Sequence, residues 1–195
     1  MKIGIVLGSI RENRAGEAVA HWVYDDVSAT CASMSRATGE HLAVELIDIA
    51  AFRIPLLTTP IHPAKSQRTY DSEGVTAFSR AVDSCDAYIF VTAEHNHSVP
   101  GAMKNAVDSL MPEWWGKAVA FVSYGGNGGI RAVEHWRQIL GNFNMYDVRQ
   151  SVSLSLTRDL PAPGEEFKPS DRRKDELAMM LSQLLTAAKV ATDRL

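Results

Sequence analysis

Several features that would assign this chain to a specialised class of protein are missing from its sequence. Lysine and arginine together number 20 against 23 aspartate and glutamate residues, which gives a formal net charge of −3. Proteins that hold nucleic acid through its phosphates need a basic excess, so we expect no nucleic acid partner. No apolar run approaches the roughly 18 residues of a membrane span, and the run from Ile3 to Leu7 is too short for a signal peptide. We therefore expect no membrane partner and a cytoplasmic location.

Cysteine, glycine and proline are also scarce. The two cysteines, Cys31 and Cys85, lie far apart in a chain of 195 residues, which is long enough to fold without disulfides, so we expect both to be reduced and at least half-buried. The 13 glycines and 8 prolines are spread along the chain, which excludes a collagen-like or disordered protein. At about 150 residues per domain, this length predicts a single domain over residues 1–195.

Short apolar runs alternate with amphipathic segments along the chain. The pattern predicts strands at 2–7, 42–49, 87–92, 117–123 and 146–154, and helices at 15–36, 75–84, 101–111, 129–140 and from 171 onward. This order predicts an α/β fold, a doubly wound five-stranded parallel sheet with helices on both faces. Ligands bind such sheets beyond the carboxyl ends of the strands, so function is expected in the loops after the first, third and fourth strands. Two longer loops, 51–70 and 157–170, are equally consistent with lids and with solvated connectors.

The loop after the first predicted strand has the chemistry of a phosphate site. It runs from Gly8 to Gly16 and offers the Ser9 hydroxyl, the guanidinium groups of Arg11 and Arg14, and the free amides at the start of a helix. Helix N-termini attract anions, and arginine adds charged hydrogen bonds. The dinucleotide fingerprint GxGxxG and the P-loop GK[ST] are both missing. The alternative is an ordinary turn whose arginines lie in solvent.

The loop after the third predicted strand is unusually polar. Its residues 94–98 read Glu-His-Asn-His-Ser, and Asn96 and Ser98 are suited to the polar edge of a planar heterocycle. A metal site formed by Glu94, His95 and His97 is the less favoured reading, because no other cluster of ligands converges on it, and we predict no metal. Lys104 and Asn105 in the following helix are consistent with either a functional or a purely structural role.

The loop after the fourth predicted strand is rich in glycine. Residues 123–129 read Ser-Tyr-Gly-Gly-Asn-Gly-Gly, and glycine lets backbone amides approach a flat ligand closely. Ser123 does not fit the nucleophile motif GxSxG, because Phe121 occupies the first glycine position. Trp114 and Trp115, just upstream, favour packing or interface roles over ligand stacking.

In these three loops the chain resembles the NAD(P)H-dependent FMN reductase family of flavodoxin-like proteins, which includes small quinone, azo-dye and chromate reductases. The resemblance covers approximately residues 1–155. It is carried by GSIRxxRxG at 8–16, by ExNxSxPGxxKNAxD at 94–108, and by GK at 116–117 followed by SxGGxGG at 123–129. One departure stands out: His95 occupies the position at which the family usually has tyrosine, and that change is expected to weaken flavin binding.

The resemblance implies FMN as cofactor, NADPH or NADH as co-substrate, and a quinone, free flavin or similar small molecule as acceptor, reduced by ping-pong. The residues that it implies for binding the FMN phosphate are Ser9, Arg11, Arg14, Ala15 and Gly16. Those that it implies around the isoalloxazine come from two loops: Glu94, His95, Asn96 and Ser98 from the first, and Ser123, Tyr124, Gly125 and Gly126 from the second. It implies no dedicated catalytic side chain, since the flavin performs the chemistry, and it implies a homodimer or homotetramer. The alternatives are a non-enzymatic flavodoxin-like electron carrier and a flavin-free binding module on the same fold.

Overall fold

Five parallel strands form the centre of the molecule. The structure, a computed structural model, describes residues 1–161 and 166–192. The strands run in the order β2-β1-β3-β4-β5, and all neighbouring pairs are parallel. Their bounds are β1 Lys2–Leu7, β2 Ala43–Asp48, β3 Ala87–Ala93, β4 Ala118–Gly125 and β5 Tyr146–Ser155. The predicted α/β fold with a five-stranded parallel sheet is confirmed.

Helices connect the strands and close the fold. They are α1 Ala15–Thr38, α2 Ile49–Phe52, α3 Glu73–Asp83, α4 Gly101–Asp108, α5 Ile130–Gly141 and α6 Asp171–Thr192. The short α2 begins at the last residue of the strand predicted at 42–49 and extends into the predicted loop 51–70, and a 3-10 turn at Pro63–Lys65 lies inside that loop. Both begin at a side-chain cap, since Asp48 accepts from the Ala50 amide and His62 from the Ala64 amide. Of the second predicted loop, residues 162–165 lie outside the described residues.

Side chains that alternate along the strands supply two cores, one on each face of the sheet. In β3, Ile89 belongs to the core beneath α1 and α6, whereas Tyr88 and Phe90 belong to the core beneath α3, α4 and α5. This two-sided burial explains why the strands are apolar at consecutive positions. Cys31 and Cys85 are both free and buried, as predicted.

The strand order places three loops side by side at one edge. The chain moves outward from β1 to β2 and then returns to β3 on the other side of β1, so the order reverses between β1 and β3. The loops that follow β1, β3 and β4 therefore leave neighbouring strands at their carboxyl ends, where open parallel sheets bind ligands. No helix in the described residues is long and apolar enough to span a bilayer.

Candidate cofactor site

The loop after β1 presents an exposed arginine and an open helix N-terminus. Arg11 is exposed, whereas the neighbouring Ser9 is buried at 4% exposure. Helix α1 begins at Ala15, and the cap residue Arg14 makes no side-chain hydrogen bond to the amides of the first turn. An anion can therefore contact these amides, which carry the positive end of the helix dipole, together with the Arg11 guanidinium.

Arg14 has a different environment from Arg11, because its guanidinium is held by a carboxylate at the end of β2. Its Nη1 and Nη2 atoms donate to Asp48 Oδ1 and Oδ2 at 2.8 and 2.5 Å, and Nη1 also donates to the Ser9 carbonyl at 2.5 Å. The hydrogen bond with Asp48 raises the pKa of Arg14, so the guanidinium remains charged. Much of its hydrogen-bonding capacity is thus used within the protein.

Tyr124, at the end of β4, lies directly beneath the first turn of α1. A Cβ atom added at Gly16 would come within 2.2 Å of the Tyr124 hydroxyl, so this position admits no side chain without a shift of its surroundings. Burial raises the pKa of Tyr124, while the side chain of Ser9 and the positive charges of Arg14 and Arg11 oppose that rise. Tyr124 therefore supports the loop after β1 from below.

The loop after β3 is fastened to α5 at both of its ends. Glu94 Oε1 accepts from Arg131 Nη1 at 2.8 Å, and Oε2 accepts from the Arg131 backbone amide at 3.2 Å. At the other end, the Ser98 hydroxyl and His135 Nδ1 are 2.8 Å apart. These contacts fix the segment between Glu94 and Ser98 against α5.

Between these anchors the backbone makes a tight turn. His95 and Ser98 exchange backbone hydrogen bonds of 3.0 and 3.1 Å, and the two central residues, Asn96 and His97, have positive φ values of 48° and 74°. Positive φ at both central positions is the pattern of a type I′ turn. Asn96 and His97 are exposed at the tip, so the side-chain amide of Asn96 is accessible to a ligand.

The loop after β4 combines a rigid base with an open tip. The buried Ser123 hydroxyl donates to the Gly128 carbonyl at 2.7 Å, which ties the loop to the strand. Gly129 has φ of 74°, and a Cβ there would lie 2.9 Å from Ser123 Cβ and from the Tyr124 nitrogen. At exposed Gly126, by contrast, an added Cβ would meet no atom within 4 Å. The backbone at this tip is thus accessible to a flat ligand.

Several residues with open roles in the sequence prove to be structural in their contacts. Asn105 accepts from the Leu57 amide at 2.9 Å and donates to the Pro55 carbonyl at 2.8 Å, so it holds the loop 51–70, called the proline-rich loop below, against α4. Lys104 forms an ion pair with Asp108 one turn later. Trp114 is fully buried against Phe78, Tyr88 and Phe90, as the packing role predicts. Within residues 1–161 and 166–192, no three potential ligands cluster closely enough to hold a metal ion.

Sequence reasoning missed three residues that shape this site: Asp48, Arg131 and His135. All three act through contacts with residues distant in the chain, on Arg14, Glu94 and Ser98 respectively. Asp48 carries one usable signal, because it is the penultimate residue of the parallel strand predicted at 42–49 and so is expected at the same end of the sheet as the other loops. No comparable signal marks Arg131 or His135.

A cavity of about 220 Å³ has a lining that contains none of the predicted cofactor-binding residues. It is enclosed mainly by the proline-rich loop and the first turn of α3, including Pro55, Leu57, Tyr70 and Val75. The candidate site is instead assembled from loop tips at the edge of the sheet.

Comparison with known proteins identifies the family. Residues 1–159 match the model of the family described as NADPH-dependent FMN reductase. The chain belongs to the NADPH-dependent FMN reductase family. As a member it is an oxidoreductase with FMN as cofactor and NAD(P)H as co-substrate, which confirms the resemblance seen in the sequence.

Individual relatives carry related names. An NAD(P)H-dependent FMN reductase of a Nectria species is 38% identical over 133 residues, a match that spans 67% of this chain and 63% of that protein. One of Saccharomyces cerevisiae is 28% identical over 97% of this chain and 99% of its own length. A quinone reductase of Pseudomonas putida is 30% identical over 71% of this chain and 68% of its own length.

Solved structures confirm the fold. An oxidoreductase from Corynebacterium diphtheriae superposes with a TM-score of 0.71 at 17% identity, covering 96% of each chain. A flavodoxin from an archaeon superposes with a TM-score of 0.59 at 14% identity, covering 97% of this chain and 99% of its own. At these identities the similarity shows the flavodoxin-like architecture alone.

The described residues fit FMN. The open N-terminus of α1 and the exposed Arg11 suit a phosphate, which carries almost two negative charges. The open backbone at Gly126 and the polar turn at 95–98 suit the flat, polar-edged isoalloxazine. The two kinds of surface occur at the same edge of the sheet, as a ligand with a phosphate at one end and a ring system at the other requires.

Proposed function

We propose that the protein passes a hydride from NADH or NADPH, through FMN bound at the carboxyl edge of the sheet, to a quinone, free flavin or similar small acceptor. The observation that carries this proposal is the arrangement of the three loops, which unites an open helix N-terminus with a glycine-lined opening where the strand order reverses. The quinone reductases among the relatives support the acceptor class.

Each loop has a proposed role in holding the cofactor. Arg11 and the amides from Ala15 to Gly16 bind the phosphate, with Ser9 and Arg14 shaping the loop around it. The turn from Glu94 to Ser98, including His95 and Asn96, borders one side of the ring. The segment from Ser123 to Gly126, including Tyr124 and Gly125, completes the pocket.

The chain contributes position and electrostatics, and no side chain is proposed as an obligatory acid or base. When bound, FMN supplies the redox chemistry, accepting a hydride at its ring and releasing it to an acceptor. Backbone amides in the glycine-rich loop are proposed to stabilise negative charge at the ring edge. We propose that both substrates use the same exposed face of the ring in turn, by ping-pong.

We also propose that the chain forms a single domain over residues 1–195, acts in the cytoplasm and assembles as a homodimer or homotetramer. Two buried free thiols are consistent with a reducing compartment. Exposed apolar side chains on the proline-rich loop, at Leu56, Leu57 and Ile61, together with Trp115, favour a covered surface over an isolated subunit. Light scattering of the purified protein measures the assembly directly.

Reduction of the bound flavin is the direct test of the proposed function. We expect the purified protein to bind FMN, and excess NADH or NADPH to bleach the visible flavin absorbance under anaerobic conditions. Adding a quinone is expected to restore the absorbance. Binding without bleaching would instead support the electron-carrier alternative, and absence of FMN binding would contradict both readings.

His95 gives a second expected result. Tyrosine offers a larger ring for contact with the isoalloxazine than imidazole does, so His95→Tyr is expected to tighten FMN binding by about 0.5 to 1.5 kcal/mol. Titration of the apoprotein with FMN, followed by flavin fluorescence, measures the change. His41→Tyr, at an exposed histidine that precedes β2 and lies outside the proposed site, is the matched control and is expected to leave the affinity unchanged. Equal affinities for the wild type and His95→Tyr would show that position 95 does not contact the ring.

A further inference from the structure

Resting on the proposed placement of the FMN phosphate, we propose that Asp48 is a positioning residue for cofactor binding, acting through Arg14. Asp48 belongs to neither the phosphate loop nor any motif that resembles the family's. It lies at the end of β2, the strand next to β1, and its carboxylate holds Arg14 by two hydrogen bonds. Arg14 in turn donates a hydrogen bond to the carbonyl of Ser9, which lies in the loop proposed to bind the phosphate.

The geometry makes Arg14 a support for the loop rather than a free ligand for the phosphate, and the Asp48–Arg14 pair is called the brace below. Its side chain is 11% exposed, compared with 30% for Asp48, and its two terminal nitrogens face the two carboxylate oxygens. A paired arrangement of this kind fixes both position and orientation. Since the same guanidinium reaches the Ser9 carbonyl, the pair sets the path of the chain between β1 and α1.

Charge leads to the same conclusion. An unpaired carboxylate at this edge of the sheet would repel a phosphate, whereas one paired with Arg14 contributes little net charge. The exposed Arg11 then provides the positive charge that attracts the phosphate, and the Asp48–Arg14 pair fixes the conformation of the loop. Removal of Asp48 leaves Arg14 without its principal partner and frees the Ser9 segment to move, so the amides of the phosphate site lose their fixed arrangement.

Asp48 has a second contact, which the experiment must separate from the first. Its Oδ1 atom also accepts from the Ala50 amide at 3.0 Å and so caps α2. Asp48→Asn retains an oxygen for that cap and one possible hydrogen bond from Arg14, but loses the charge and the second acceptor. Comparison with Asp48→Ala therefore distinguishes the loss of the brace from local unfolding at α2.

The test is a fluorescence titration of apoprotein with FMN and, in parallel, with riboflavin, which lacks the phosphate. We expect Asp48→Ala to weaken FMN by about tenfold and riboflavin by less than about twofold, with Asp48→Asn intermediate for FMN. Arg14→Ala is expected to have a similar effect. The double variant Asp48→Ala/Arg14→Ala is expected to bind FMN no more weakly than Arg14→Ala alone, because Asp48 positions the loop through Arg14 and its removal also eliminates the repulsion by an unpaired carboxylate.

Three results would overturn the inference: unchanged or tighter FMN binding in Asp48→Ala, equal losses for FMN and riboflavin, or additive losses in the double variant. Asp83→Ala is the control, since it breaks the ion pair with Arg68 at the opposite edge of the sheet and is expected to leave both affinities unchanged. Arg11→Ala tests the underlying placement separately. If Arg11→Ala weakens FMN more than riboflavin and Asp48→Ala does not, the proposed phosphate site is supported and the role of Asp48 is contradicted. If neither variant weakens FMN more than riboflavin, the proposed placement of the phosphate is contradicted as well.

Discussion

Replacing Arg11 with alanine is expected to weaken FMN binding by about 1.5 to 3 kcal/mol, or roughly 10- to 150-fold, the range for hydrogen bonds to charged groups. Riboflavin binding is expected to change much less, since riboflavin carries no phosphate. Arg11 is exposed at the loop after β1, beside the open N-terminus of α1, so its guanidinium is available to an incoming anion. Titration calorimetry with the two flavins measures both affinities.

Arg36→Ala is the matched control for this experiment. Arg36 is also exposed and lies in the last turn of α1, so its removal changes the net charge equally but far from the proposed phosphate. We expect its effect on FMN to be small, particularly at physiological salt, where charges more than about 8 Å apart are largely screened. Equal losses of FMN and riboflavin in Arg11→Ala would show that Arg11 does not touch the phosphate.

The sequence predicted the sheet well because the physical signal for a buried strand is local. Consecutive apolar residues such as Ile89, Phe90 and Val91 indicate a strand covered on both faces, and no distant partner is needed to read that pattern. The alternation of strands with helices then restricts the topology to a few arrangements. The helix Ile49–Phe52 escaped prediction because a single turn is too short to show a period, and its cap depends on one aspartate.

Predicting the site was harder, because the roles of its residues depend on long-range contacts. Arg11 and Arg14 look equivalent in the sequence, yet among the described residues Arg14 alone of the two forms ion pairs, with Glu17 one turn away and with Asp48, 34 residues away along the chain. Glu94 likewise looks like a free acid until Arg131 is seen beside it. The sequence thus predicts which loops form the site. Which side chains are available to a ligand, and which are held by other residues of the protein, is seen only in the packed structure.

The lack of a side chain at Gly16 is expected to matter strongly for the stability of the apoprotein. Gly16→Ala is expected to destabilise the apoprotein by about 1 to 3 kcal/mol, because the new methyl group would lie 2.2 Å from the Tyr124 hydroxyl and Tyr124 is only 6% exposed. The gain of about 1 kcal/mol that alanine normally brings to a helix offsets part of this cost. Urea unfolding of the apoprotein measures the net change.

Two variants separate this steric explanation from a general sensitivity of helix starts. Gly101, at the start of α4, would place a Cβ with no atom within 4 Å, so Gly101→Ala is expected to leave the apoprotein as stable or slightly more stable. In a Tyr124→Phe background the closest atom to the new methyl group is removed and the next lies at 2.9 Å, so Gly16→Ala is expected to cost less there. Because Tyr124 supports the turn that carries the proposed phosphate-binding amides, any loss of FMN affinity in Gly16→Ala is also expected to be smaller in that background. An undiminished cost in that background would show that the Tyr124 hydroxyl does not determine the need for glycine at this position.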